Sequence, residues 1–289
     1  MAVHPDLRGK GVGGAMMRIL LDHPAVRGTV RFLRARNDQE FCASMGFIPD
    51  PPVPMTHRSL CVRQDKQRRM FTATPQTLHL GVLDDAPPGG IQRRDLDGDA
   101  VLEIQRLLRP RECTALIAAA EGLGFAPAGL AMGNGVYRVN DKARNNQRVI
   151  VDDRQTAALL WGRMGSLLPR MDRRDPTGVN WRFRIYRYQA GQYFRPHVDV
   201  RMDLPGGGVT LMSMMIYLND DFQGGETGFL EKKPRTSGRS RKRNNRTRFQ
   251  VAPVTGSAVV FDHLVLHEGV EVSEGVKYAV RTDVIFGAR

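Results

Sequence analysis

The 289-residue chain has little cysteine, few aromatic residues and no long apolar run. Its three cysteines, Cys42, Cys61 and Cys113, are odd in number and widely scattered. That pattern argues against a disulfide framework or a thiolate zinc site and leaves ordinary reduced thiols. No stretch approaches the roughly eighteen apolar residues of a membrane span. Met1 is not followed by a basic and then apolar signal sequence. A cytoplasmic or nuclear protein without a membrane partner is expected, long enough for one large domain and a smaller one. No internal repeat is visible.

The formal net charge of +13 points to a polyanion partner until the charge is located. Nine basic residues and no acidic one lie between Lys232 and Arg248 (KKPRTSGRSRKRNNRTR), so the rest of the chain carries an excess of only +4. The charge is a local insertion and not a basic face. Its Pro, Gly, Ser and Asn content predicts a solvated loop between two strands. Such a loop is available to an acidic partner, whether nucleic acid or an import receptor. It holds no aromatic ring on which bases could stack, which weakens a specific single-strand role.

The chain does contain a set of metal-ligand residue types. RPHVDV offers His197 and Asp199, and His267 follows a strand-like apolar run, Ala258 to Phe261 and then Leu264 to Leu266. Alternate residues of a strand point to one face, so H-x-D can bring an imidazole and a carboxylate to one ion while Val198 packs the other way. Two imidazoles and one carboxylate on one face of Fe(II) leave positions open for a chelating oxo-acid and dioxygen. Downstream, Lys277 and Arg281 can hold an acidic co-substrate, the first as a point charge and the second as a bidentate fork. An isolated H-x-D recurs by chance around surface or core histidines. With His267 on a third strand end, it predicts a rolled-up sheet with a site in its mouth.

The segments YRYQAGQYFRPHVDV, IYLNDDFQGGETGFL, GSAVVFDHLVLHEG and GVKYAVRTDV resemble the 2-oxoglutarate and Fe(II)-dependent dioxygenases of the prolyl 4-hydroxylase-like branch. Upstream, LRPRECTALIAAAEGLGFAPAG and NNQRVIVDDRQTAALLWGRMGSLLP resemble helical segments that precede the barrel in these enzymes, so the likeness runs in order over residues 100–289. The resemblance implies His197, Asp199 and His267 as iron ligands. It also implies Lys277, ten positions after the last histidine, as the partner of the distal carboxylate of 2-oxoglutarate. Tyr188 and Tyr217 match positions that line the co-substrate pocket. His263 is the competing distal ligand but matches a position beside the site. Arg281 is the competing carboxylate anchor, and its other reading is a buried arginine paired with an acid such as Asp283. The implied cofactors are Fe(II), 2-oxoglutarate and O2, with L-ascorbate as reductant. The implied reaction hydroxylates an unactivated C–H bond while 2-oxoglutarate is decarboxylated to succinate. The prime substrate stays open among peptidyl proline, another protein side chain and a small molecule.

The first sixty residues read differently. VHPDLRGKGVGGAMMRILLD presents Arg8, Gly11 and Gly13 at the start of an amphipathic helix, where backbone N–H groups and the helix dipole can hold a pyrophosphate. Together with ARNDQEFCASMGFIPD, this resembles the second half of a GCN5-related N-acetyltransferase, in which the first motif cradles acetyl-CoA. Cys42 stands where that family commonly has a tyrosine acid, and Met1 falls at the end of the central strand. Residues 1–62 are therefore read as a vestigial or incompletely represented half-domain, too small to be stable alone. Acetyl-CoA binding is not expected.

The expected fold class is α+β and mainly β. It comprises a double-stranded β-helix, or jelly roll, with flanking helices over residues 100–289, a small α/β remnant at 1–62, and a linker at 63–99 with one or two strands. Barrel strands are read at Arg182–Gln189, His197–Val200, Leu211–Leu218, Ala258–Phe261 and Lys277–Phe286, and helices in VLEIQRLL and ECTALIAAAEGL. Two other function classes are weighed. A bifunctional acetyltransferase-oxygenase is disfavoured by the missing half-domain, and a non-catalytic barrel acting as a binding module is disfavoured by the intact triad.

Overall fold

The computed structural model describes residues 70–72, 76–77, 79–131, 136–204, 206–231 and 246–288. The acetyltransferase-like segment 1–62 and residues 232–245 of the basic insertion lie outside them. The chain divides into two compact units, one of residues 1–74 and 129–140, the other of residues 75–128 and 141–289. In the first, the described strands are Met70–Thr72, Leu130–Ala131 and Val136–Arg138, the last pairing antiparallel with both others.

In the second unit the elements follow as β1 (Gln92–Asp97), β2 (Val101–Gln105), α1 (Pro110–Leu123), β3 (Gln147–Asp152), α2 (Arg154–Met164), β4 (Pro176–Val179) and β5 (Arg182–Gln189). Then come β6 (Phe194–His197), β7 (Val209–Tyr217), β8 (Thr227–Leu230), β9 (Thr247–Val251), β10 (Ala258–Asp262), β11 (His267–Gly269) and β12 (Val276–Phe286). The larger sheet runs β3-β5-β12-β7-β10-β2-β1, with Gln76–Thr77 beside β3 and β4 on the end of β12. The smaller sheet runs β6-β11-β8-β9. Two facing sheets with these crossovers are the jelly roll expected from the sequence.

Strand parity divides the core in two. In β7, Met212, Met214 and Ile216 face Leu116 and Ala120 of α1 and Leu160 and Met164 of α2, all in one buried cluster. The alternate residue Tyr217 packs instead with Phe229 and Val251 of the smaller sheet and with Val259, Phe261 and Ala279. Both faces of the central strands are therefore apolar, as in a layered sandwich. Helix α1 opens at Pro110 with the Glu112 carboxylate accepting the Arg109 N–H at 2.7 Å. Helix α2 is capped by Asp153, which accepts from Gln155 and Thr156. Glu112 and Arg163 join the two helices through contacts of 2.6 and 3.1 Å.

Three sequence expectations change. VLEIQRLL is not a helix, since Val101–Gln105 is β2, with residues 101–104 all buried between β1 and β10. A short apolar run carries no period that separates a buried strand from a helix. The strand expected at His197–Val200 ends at His197, and Val198 is 40% exposed rather than packed. The basic insertion does not extend to Arg248, because Thr247 and Arg248 belong to β9 and Arg248 is paired with Asp97 at 2.7 Å.

Candidate metal centre and co-substrate pocket

His197 ends β6 and His267 begins β11, and the two are direct partners in the antiparallel register. The Asp199 N–H donates to the carbonyl of His263 at 2.9 Å, which folds the segment after β6 back toward the turn before β11. One potential ligand atom from each of His197, Asp199 and His267 lies within 4.8 Å of the others. The His267 Nε2 lies 3.6 Å from Asp199 Oδ2, and the His197 Nε2 lies 4.0 Å from Asp199 Oδ1.

The Nδ1 atoms of the two histidines lie 2.8 Å from the Arg195 carbonyl and 3.0 Å from the Val265 carbonyl. A carbonyl can only accept, so each Nδ1 carries the proton and each Nε2 presents its lone pair to the cluster. Burial pushes His197 down to about 3, assisted by neighbouring His267, and burial also lowers His267. Both rings are thus neutral donors. Burial alone would raise Asp199, but Arg281 and the two histidines hold it well below the usual carboxylate range. Two neutral imidazoles and one ionised carboxylate fit a divalent first-row metal with open positions. Phe194 stacks on His197 at 3.6 Å and Phe261 lies 4.4 Å from His267, so packing fixes both rings.

His263 is fully buried and outside this cluster, with its Nε2 3.3 Å from Asp283. It sits beside the site, as the family spacing implies.

Lys277, on β12, pairs in register with Tyr188 on β5. Its ammonium is buried, 5.5 Å from the Tyr188 ring centre and 5.3 Å from that of Tyr217, and donates to the Gly225 carbonyl at 2.6 Å. Among the described residues no carboxylate lies within ion-pairing distance of it. Burial pushes Lys277 down to about 8, with Glu226 offsetting little. Gly225 has φ +71, and a Cβ there would stand 2.9 Å from the Phe222 ring and 3.2 Å from the Lys277 chain. Glycine is needed for that carbonyl to reach the ammonium. The Tyr217 hydroxyl lies 2.6 Å from Thr227 Oγ1.

Arg281 is engaged elsewhere. Its Nη2 lies 3.1 Å from Asp199 Oδ2, 2.9 Å from Asp283 Oδ1 and 3.0 Å from Ser213 Oγ. The pairing with Asp283 is the one anticipated as its alternative role, and the contact with Asp199 was not anticipated. Sequence reasoning also passed over Ser213 and Thr227. Ser213 shares strand parity with Tyr217 on β7, and Thr227 lies in the GGETGF run.

Residues 183–282 match the family model described as the 2OG-Fe(II) oxygenase superfamily. Prolyl 4-hydroxylase 1 of Arabidopsis thaliana is 32% identical over 110 residues, covering 33% of this chain and 37% of that protein, so the match spans little more than a third of the plant protein's length. Two solved structures are similar at lower identity. A viral collagen prolyl hydroxylase from Paramecium Bursaria Chlorella virus-1, in a 2OG complex, is 20% identical with a TM-score of 0.42, covering 67% of this chain and 98% of that one. A Pseudomonas putida prolyl-4-hydroxylase is 18% identical with a TM-score of 0.45, covering 68% and 96%. Residues 183–282, which contain all three clustered residues together with Lys277, therefore match a 2OG-Fe(II) oxygenase domain with prolyl hydroxylase homologues.

Proposed function

We propose that this chain is an Fe(II)- and 2-oxoglutarate-dependent hydroxylase acting on an unactivated C–H bond of a protein or peptide side chain. The observation that carries the reading is the buried ammonium of Lys277 between Tyr188 and Tyr217, with no carboxylate in ion-pairing distance among the described residues, in the same barrel as the His197, Asp199 and His267 cluster. A buried cation without a counter-ion is costly, and the distal carboxylate of 2-oxoglutarate would supply one.

His197, Asp199 and His267 would hold Fe(II). The metal, when bound, would supply the activation of dioxygen that couples decarboxylation of 2-oxoglutarate to succinate and CO2 with insertion of one oxygen atom into the substrate C–H bond. The chain's residues do the rest. Val265 and Arg195 orient the imidazoles, Lys277 anchors the co-substrate, and the two tyrosine rings keep water from the anchoring charge. Tyr217 is itself fixed by Thr227. The plant relative is named as a prolyl hydroxylase, which supports a peptidyl substrate over a small molecule. L-Ascorbate is the proposed reductant, and the proposed location is cytoplasmic or nuclear. No helix among the described residues is long and apolar enough to cross a membrane.

The test is succinate production from 2-oxoglutarate without added substrate. Wild-type protein with Fe(II) should turn over slowly, and Lys277→Ala should need far more 2-oxoglutarate. Absence of any Fe(II)-dependent succinate would reject the reading and favour a non-catalytic barrel. The acetyltransferase-like reading of residues 1–62 rests on its motifs alone, and calorimetry with acetyl-CoA should show no submicromolar binding.

A further inference from the structure

Asp199 is held asymmetrically. Its Oδ2 accepts from the Ser213 hydroxyl at 2.5 Å and pairs with Arg281 Nη2 at 3.1 Å. Among the described residues its Oδ1 has no such partner and lies 4.0 Å from the Nε2 of His197, while Oδ2 lies 3.6 Å from the Nε2 of His267. Ser213 in turn accepts from the same Arg281 nitrogen at 3.0 Å. The same nitrogen also lies 2.9 Å from Asp283 Oδ1. Asp283 is fully buried and shared with His263 at 3.3 Å and Arg184 at 3.5 Å. These groups lie on adjacent central strands, with Ser213 of β7 the direct register partner of Asp283 on β12.

We infer that Ser213 and Arg281 are positioning residues that clamp one carboxylate oxygen of Asp199, so that the aspartate offers a single oxygen to the metal and its other face stays closed. The inference rests on the metal-centre reading above. A free carboxylate can rotate or chelate through both oxygens, and chelation would consume a position that an oxo-acid and dioxygen need. Here rotation is opposed by a hydroxyl donor and a guanidinium on one oxygen, and the guanidinium is itself paired with a buried acid. The arrangement also explains why a cation is buried beside a metal site. Arg281 satisfies two carboxylates, which leaves Lys277 as the cation for the co-substrate. A merely structural arginine would need Asp283 alone.

The test uses Co(II) in the full-length protein without 2-oxoglutarate, so that the readout is metal binding and not turnover. Ser213→Ala removes one donor from Asp199 without changing any charge. Arg281→Lys keeps the charge but shortens the reach and loses the planar fork. Each should weaken Co(II) binding by about tenfold to a hundredfold, the range expected for lost supporting contacts around a metal. Each should also alter the Co(II) visible spectrum, which reports coordination number, while far-UV circular dichroism stays at wild type. Wild-type Co(II) affinity and an unchanged spectrum in Ser213→Ala would overturn the clamp. His197→Ala distinguishes the two claims. If wild-type protein binds no Co(II), or His197→Ala binds it equally well, the metal-centre reading fails and the clamp with it.

Discussion

His197 and His267 are direct partners across β6 and β11, with ring centres 4.2 Å apart. One antiparallel register therefore places two of the three ligands, and a one-residue slip would turn a histidine out of the site. Asp199 completes the set from just beyond the strand end, held by its N–H on the His263 carbonyl.

Replacing His197 or Asp199 by Ala should abolish stoichiometric Fe(II) binding and substrate-independent succinate formation, because two ligands do not hold a labile ion well. Iron content by mass spectrometry after anaerobic loading checks this. His263→Ala should retain iron at wild-type stoichiometry. Full iron occupancy in both ligand variants would refute the assignment.

Lys277→Ala should raise the 2-oxoglutarate concentration for half-maximal turnover about thirtyfold, corresponding to loss of one charge-assisted contact of about 2 kcal/mol. Metal affinity should stay near wild type. Arg281→Lys should show the opposite pattern, weaker metal binding with a smaller change in co-substrate demand. A reversal of the two phenotypes would exchange their roles.

Burial disfavours the charge of the Lys277 ammonium and pushes it down to about 8. The charged form is the one that pairs with a carboxylate. Apparent affinity for 2-oxoglutarate should therefore be flat below that pH and fall above it, approaching about tenfold per pH unit. Bound co-substrate favours the ammonium, so the fall levels off only at the higher pH where the lysine loses its proton in the complex. A half-saturation constant independent of pH through and well above that region would show that Lys277 is not the anchor.

The Glu112 and Arg163 pair is almost wholly buried, with side chains 1% and 2% exposed. Arg163→Ala would strand the Glu112 carboxylate between α1 and α2 and should cost about 3–5 kcal/mol of stability. Chemical denaturation would show it. An unchanged midpoint would mean that the helices are held by their apolar faces alone.

Replacing residues 232–245 by a short Gly/Ser linker should leave uncoupled succinate formation intact, since no clustered ligand lies there. Wild-type protein should be retained on heparin with a steep salt dependence, as counter-ion release requires, and the linker variant should elute earlier. Equal retention would reject an acidic partner for this segment.

The grouping of His197, Asp199 and His267 was legible in the sequence because residue types of that kind near strand ends are a local pattern. The place of Lys277 was legible only through the family resemblance, whereas H-x-D near one strand end and a histidine opening a later strand are local patterns. The strand Arg182–Gln189 was legible for the same reason, its period of two being long enough to count. Val101–Gln105 was not, since five residues buried on both faces carry no periodicity, and only pairing with β10 and β1 makes them a strand. The role of Arg281 was also invisible to spacing. Strand parity allowed it to face either the co-substrate or an acid, and the choice depended on where β7 set Ser213 and where the turn after β6 set Asp199. Local pattern picked out which side chains are candidates for the site. Packing of strands distant in the chain decided which charge meets which, because burial leaves each buried charge dependent on the partners that the fold brings to it.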